Sequence, residues 1–408
     1  MARVAASAVM KSPERLRLVS CGFHPWSPLW KRHQSMVAHL ARGPLIERAV
    51  FLGPHLRLSD LPRRFRTDWR GLDRHRCLGM LPRSVAPRVV AWTPVFLRAG
   101  TRAHPEREAA NLDTIVRVIV RCLRGEPDVL LINNPMPEEQ PIVDALTARA
   151  RLRILDWSDD FAQIPTVAAA QQLVGSIVER ILGRVDLVLA VNEALGRRAR
   201  TRGVQTAVVP NATGMNPVPG PPQSRAACCL REIFPRPILG YAGFLTEHRI
   251  DLAIVEHLAR THAGASLVFL GPVYGEFHRR FPPLPNIHFL DPVPHRELQD
   301  HLHAFDVCVL PHLVNAHTAG NDPIKLYDYL STGRPVVATP VAGTERLTGV
   351  VRVARTPAGF SAEVEAALRE TDPGAEALRL ATARRNTWAT RIVLVEEAIR
   401  EAWAAHAS

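Results

Sequence analysis

Short apolar runs alternate with helix-patterned stretches along almost the whole chain. That rhythm leaves few folds open, because each run reads as a strand, each intervening stretch as a crossover helix, and the resulting sheet is parallel. The fold class expected is α/β, doubly wound, with two Rossmann-like domains and a cleft between them. In the first half, strands are expected at 16–20, 49–52, 89–92, 129–132, 153–155, 187–191 and 207–209. Between 111 and 123, Leu112, Ile115, Val116, Ile119 and Leu123 follow helical spacing. From Pro210 to Pro237 the rhythm collapses into a proline-rich stretch that cannot sustain regular ladders. It then restarts at 238–242, 266–270, 287–290, 307–310, 336–338 and 350–353. The domains are accordingly drawn as a disordered N-terminus over 1–14, a first Rossmann-like domain over 15–210 and a linker over 211–236. A second Rossmann-like domain follows over 237–374, and the C-terminal helices over 375–408 are free to cross back to the first domain.

A chain of 408 residues, 47% hydrophobic, is too long for one hydrophobic nucleus and agrees with two domains. No run approaches the roughly 18 apolar residues of a membrane span, and the start lacks an apolar signal core, so a cytoplasmic chain is expected. Six cysteines at 21, 77, 122, 228, 229 and 308 form no CxxC pair, which favours reduced core thiols over disulfides or zinc; no metal is implied. A net charge of +12 suits nucleic acid, an anionic membrane surface or an acidic small molecule alike. Without zinc-finger spacing, an aromatic RNA-binding strand or a basic groove helix, nucleic acid is set aside. Of 51 basic residues only Lys11, Lys31 and Lys325 are lysine, leaving 51 − 3 = 48 arginines, which singles out Lys325 for scrutiny.

The most informative segment is GNDPIKLYDYLSTGRPVVATP, from Gly320 to Pro340. Asp322 suits an N-cap, Pro323 the first helical position, Gly333 a left-handed stop, and Pro335 the approach to a strand, so a short helix is expected over 323–332. Its N-terminus would face the C-terminal edge of a parallel sheet, where anions bind. Lys325 and Asp328 lie three residues apart on one helix face, separated by about 4.5 Å of rise, a spacing close to that of a phosphate and its ribose. The pair could equally be an ordinary i, i+3 salt bridge on a solvated face.

These residues resemble the motif P-x-K-L-Y-E-Y-L-A-x-G-x-P-V-V of bacterial GT-B glycosyltransferases, the glycosyl transferases group 1. Pro323, Lys325, Leu326, Tyr327, Tyr329, Leu330, Gly333, Pro335, Val336 and Val337 match, with Asp328 in the glutamate's place. The likeness extends back through LPNIHFLDPVPHRELQDHLHAFDVCVLP and, more loosely, into the first domain. It implies a sugar carried by a UDP or GDP donor as co-substrate, with no cofactor. Lys325 would grip the diphosphate and Asp328 the ribose hydroxyls, and Gly243 and Asn321 belong to the same nucleotide-sugar set. In YAGFLTEHR, Arg249 takes the place of a diphosphate-binding lysine, while Phe244 stands where the family has an arginine. Val293 corresponds to the backbone contact with the base, although Asp291 replaces the usual glycine. Gly320 stands where retaining members commonly carry an acid.

In the first domain Gly22 follows a strand, and is either a close-approach glycine under the sugar and phosphates or a plain turn. LRILDWSDDFAQIP puts Asp156, Asp159 and Asp160 at a strand end facing the cleft, and resembles a D-x-x-D-D-F segment of related transferases. Asp159 or Asp160 would there be the general base toward an acceptor hydroxyl, unless they only cap a helix. His24 is a weaker cleft candidate, and His301 and His303 read as surface or packing residues. No G-x-G-x-x-G, Walker loop, H-E-x-x-H, G-x-S-x-G or D-x-D occurs. The expected activity is transfer of a sugar to a saccharide or lipid-linked acceptor in cell-surface polysaccharide or glycoconjugate synthesis, with the basic surface resting on an anionic inner leaflet. A nucleotide-sugar epimerase of the same fold and a non-catalytic nucleotide-sugar-binding protein remain alternatives.

Overall fold

A computed structural model describes residues 15–58, 79–96, 105–163, 167–274 and 276–407. The N-terminus expected to be disordered, with Lys11, and Cys77 lie outside them. The first domain is an eight-stranded sheet made from β1 (Leu16–Cys21), β2 (Ile46–Leu52), β4 (Arg83–Ala86), β5 (Val89–Trp92), β7 (Val129–Ile132), β8 (Leu152–Trp157), β9 (Leu187–Ala190) and β10 (Gln205–Val208). A separate two-stranded ladder joins β3 (Leu56–Arg57) to β6 (Val95–Phe96). The strand order is β10-β9-β8-β7-β1-β2-β5-β4, parallel throughout except where β4 runs antiparallel against β5. Runs such as VLLI of β7 are buried at every position because helices cover both faces of the sheet.

The second sheet holds β11 (Ile238–Ala242), β12 (Ser266–Leu270), β13 (Ile287–Leu290), β14 (Val307–Leu310), β15 (Val336–Ala338) and β16 (Arg352–Val353). Its order, β13-β12-β11-β14-β15-β16, is the 3-2-1-4-5-6 arrangement of a Rossmann domain, all parallel. The strand order reverses between β11 and β14 in this sheet and between β1 and β7 in the other. Ligands of open parallel sheets bind outside the carboxyl ends of the strands at such reversals.

Two features depart from the sequence reading. The helix expected over 111–123 begins at Pro105, which is suited to a first helical turn. The stretch 211–236 is not a loose tether. It contains the helix Arg225–Ile233, capped by the Ser224 hydroxyl, and Val218 N–H donates to the Ser331 carbonyl at 3.2 Å. The C-terminal stretch is two helices, Pro373–Arg385 and Trp388–Ala407, broken at Asn386 and Thr387. The second packs on the helix Arg32–Arg42, burying Trp388, Val395, Ile399 and Ala402 in the first domain's core. Thr213 and Thr387 pair where the two interdomain crossings run side by side, so both passages of the chain share one joint. No helix among the described residues is long and apolar enough to cross a membrane.

Candidate active site

The reversal points of the two sheets face each other across one cavity of about 290 Å³. The first domain contributes the loop after β1, with Phe23, His24, Trp30 and Lys31, and the end of β8, with Ser158 and Asp159. From the second come the turn after β11, with Gly243, Phe244 and Arg249, Val293 and His295, and the segment Asn321–Asp328. Of the residues singled out from sequence, Asp159, Gly243, Arg249, Val293, Asn321, Lys325 and Asp328 line this cavity.

Lys325 reaches it by crossing the turn after β11. Gly243 has φ of 142°, a left-handed value that L side chains avoid, and a Cβ there would meet Lys325 Cε at 1.9 Å. Glycine at 243 is therefore the condition for the lysine's path. Burial, with the nearby Arg249 guanidinium second, lowers the Lys325 ammonium to about 7. Its Nζ lies 5.5 Å from the centre of the Tyr241 ring. Asp328 is buried, and its Oδ1 accepts from the Thr213 hydroxyl at 2.8 Å. Desolvation raises the carboxyl, while His295, the Thr213 hydrogen bond and Lys325 oppose that rise. Since Thr213 belongs to the interdomain joint, the aspartate is oriented by the connection between the domains.

Asp159 approaches from the opposite wall. Its buried Oδ1 has no hydrogen-bond partner among the described residues. Burial raises its pKa, while Arg249, Lys31, Arg32 and Lys325 pull the other way. Such a carboxylate is a better proton acceptor than one in water and keeps one oxygen available.

Several expectations need correction. Asp160 does not line the cavity: its Oδ2 is ion-paired to Arg198 at 2.7 Å, so it anchors the strand end. Gly320 packs directly against it, since a Cβ there would meet Asp160 Cβ at 2.6 Å. Gly22 also lies off the cavity. A Cβ there would stand 2.4 Å from Phe51 Cζ, so a ring beneath the loop demands the glycine. The short helix spans Ile324–Leu330, with Pro323 at the cap position and no side-chain cap. Asp322, expected as that cap, is fully buried. Its carboxylate takes the Asn211 N–H at 2.6 Å, the Tyr327 hydroxyl at 3.1 Å and Arg346 at 2.6 Å. A carboxylate with a guanidinium in reach is drawn into that pair rather than to a helix end. His301 and His303 need no correction: read as surface or packing residues, they are buried packing residues of the helix His295–His303.

Sequence reasoning missed Lys31. Its Nζ sits 4.2 Å from the centre of the Phe244 ring, bridging the domains. The signal was present in composition, since Lys31 and Lys325 are two of only three lysines in the chain.

The family described as Glycosyl transferases group 1 matches residues 236–370. Among curated proteins the chain is similar to one of Bacillus subtilis (strain 168), provisionally named teichuronic acid biosynthesis glycosyltransferase TuaH. The two are 22% identical over 113 residues, 27% of this chain and only 28% of that protein's length. Over the whole chain the architecture is that of Anabaena HepE, solved in complex with UDP and glucose: TM-score 0.65, 13% identity, 96% of this chain and 100% of that one. Sucrose-phosphate synthase from Thermosynechococcus elongatus superposes with TM-score 0.67, at 15% identity and the same coverage of both chains. An α,α-trehalose 6-phosphate synthase from Burkholderia multivorans gives 0.62 at 14% identity, over 97% of this chain and 100% of that one. Residues 236–370 thus form a glycosyl transferases group 1 domain, and the chain as a whole is a two-domain protein of the GT-B fold.

Proposed function

We propose that the protein is a metal-independent glycosyltransferase that moves a sugar, hexose by class, from a UDP- or GDP-linked donor to a hydroxyl of a saccharide or lipid-linked acceptor. The observation that carries this reading is one cavity in which Lys325 and Arg249 of the second domain face Asp159 of the first. Departure of a nucleoside diphosphate concentrates negative charge on its β-phosphate, and fixed cations stabilise that charge as it grows. The bond from the anomeric carbon to the phosphate oxygen breaks, the acceptor oxygen bonds to that carbon, and Asp159 takes the hydroxyl proton. Asp328, held by Thr213 with its other oxygen available, suits the ribose hydroxyls beside the diphosphate. The UDP and glucose in the HepE complex, and the UDP-forming and sugar-phosphate-forming names among similar structures, support a nucleotide-sugar partner.

The test is to incubate purified protein with a panel of UDP- and GDP-sugars and follow free nucleoside diphosphate, with and without lipid extract. Release that depends on an acceptor is expected. Interconversion of the donor alone would identify an epimerase, and binding without turnover a non-catalytic protein; either result removes the proposal. A cytoplasmic enzyme resting on the inner leaflet, acting in cell-surface polysaccharide or glycoconjugate synthesis, is supported by the charge of +12 and by the teichuronic acid relative. It should pellet with anionic vesicles at low salt and leave them at high salt, and indifference to lipid charge would remove the membrane part.

A further inference from the structure

The charges around the cavity do not balance. Lys31, Arg249 and Lys325 influence one another and share one nearby carboxylate in common, Asp159. None of the four makes a side-chain hydrogen bond or ion pair among the described residues. Elsewhere in the same structure arginines find acids readily: Arg32 binds Asp156, Arg198 binds Asp160 and Arg346 binds Asp322. Three cations against two carboxylates, Asp159 and the Asp328 that faces Lys325, leave an excess of positive charge partly withdrawn from water, an unfavourable arrangement that an incoming anion would complete.

The approach of Lys31 is as informative as its charge. It immediately precedes the helix Arg32–Arg42 and is, among the described residues, the first domain's only lysine at the cavity, whereas the ring it covers belongs to the second domain. Lys325 crosses over Gly243 and Lys31 stands over Phe244, so the two ammonium groups meet consecutive residues of one turn from opposite domains. The aromatic face holds the Lys31 cation without neutralising it, so its charge stays available to an incoming phosphate. Burial, then Arg249 and Lys325, pushes the Lys31 ammonium well below its ordinary value, which an anion would reverse.

The geometry points to Lys31 as the first domain's ligand for the diphosphate of the donor, a third cation that engages the leaving group only while the two domains stand together. This rests on the nucleotide-sugar reading above. Donor binding would then hold the domains at the spacing in which Asp159 faces the reacting carbon, and the diphosphate becomes the piece that joins them.

Calorimetry on the full-length protein with UDP, GDP, UMP and inorganic pyrophosphate tests this. Lys31→Ala should weaken the diphosphates and pyrophosphate by roughly tenfold or more, with UMP affected much less. Lys31→Arg should retain most affinity, and Lys31→Gln, which keeps the stem, serves where alanine unsettles the fold. Adding Phe244→Arg to Lys31→Ala puts a cation back beside the vacated place and should recover much of the loss. Wild-type diphosphate affinity in both Lys31→Ala and Lys31→Gln would overturn the assignment of Lys31 and leave the transferase reading standing. Equal losses for UMP and UDP would do the same. A wild-type protein that binds none of the four probes removes the nucleotide-sugar reading, and this inference with it.

Discussion

Replacing Lys325 by methionine should make the unliganded protein more stable while depriving it of its donor. Methionine keeps the unbranched stem that crosses Gly243 and removes the charge. The ammonium is lowered from 10.5 to about 7 in the folded chain, chiefly by burial. At about 1.4 kcal/mol per tenfold, that drop corresponds to an upper value of roughly 5 kcal/mol opposing folding. Part of the Lys325 surface is open to the cavity, where water screens the charge, so about 2–3 kcal/mol is the working figure. The sign follows from which state holds the proton. Between pH 7 and 10.5 the unfolded chain keeps it and the folded chain does not, so wild-type stability rises with pH across that window. Below pH 7 both states are protonated and the full penalty persists. Lys325→Met should therefore melt roughly 5 °C higher at pH 6 and converge on wild type as the pH approaches 10.

The same lysine predicts proton uptake. A bound diphosphate restores the ammonium, so at pH 8 UDP binding to the wild type should draw a proton from solution. Calorimetry in two buffers of different ionisation enthalpy reads that directly. The methionine variant should show less uptake and about ten- to a hundredfold weaker UDP binding. Melting curves of the two proteins that run parallel from pH 6 to 10 would refute the suppressed charge, and unchanged UDP affinity would refute its purpose.

Asp159→Asn should lower turnover by about 10²–10³ with donor affinity retained, measured by acceptor-dependent release of nucleoside diphosphate, and full activity would eliminate it as the base. Asp160→Asn should leave donor affinity and turnover close to wild type and lower stability by less than about 1 kcal/mol, because its Arg198 partner is 44% exposed. Gly243→Ala places a methyl against Lys325 in a left-handed backbone. A folding penalty of about 1–3 kcal/mol and at least tenfold weaker UDP binding are expected together. Gly22→Ala, crowded by Phe51, should cost about 1–3 kcal/mol in a denaturant melt and spare UDP affinity, and an affinity loss equal to that of Gly243→Ala would place Gly22 in the site after all.

What could be read without coordinates was whatever depends on neighbours along the chain. The period of the apolar runs located the parallel strands because side-chain alternation and helical repeat are local properties, and the dipeptides around Pro323 and Gly333 marked a short helix for the same reason. Strands of two residues, β3 and β6, carried no such period and passed unnoticed, as did β4, whose burial pattern is half exposed. The site divides along the same line. Lys325, Asp328 and Arg249 sit in segments whose local pattern distinguishes them. Asp159 and Asp160, adjacent and alike in sequence, were separated only by Arg198, which is 38 residues away and claims one of them. Asp322 looked like a helix cap until Arg346 and Asn211 were brought to it from other elements. Gly22 was decided by a ring on the next strand, and Lys31 by an aromatic face in the other domain. Charge pairing, close approach and desolvation act through space over a few ångströms, and one dimension of sequence does not say which residues will stand that near.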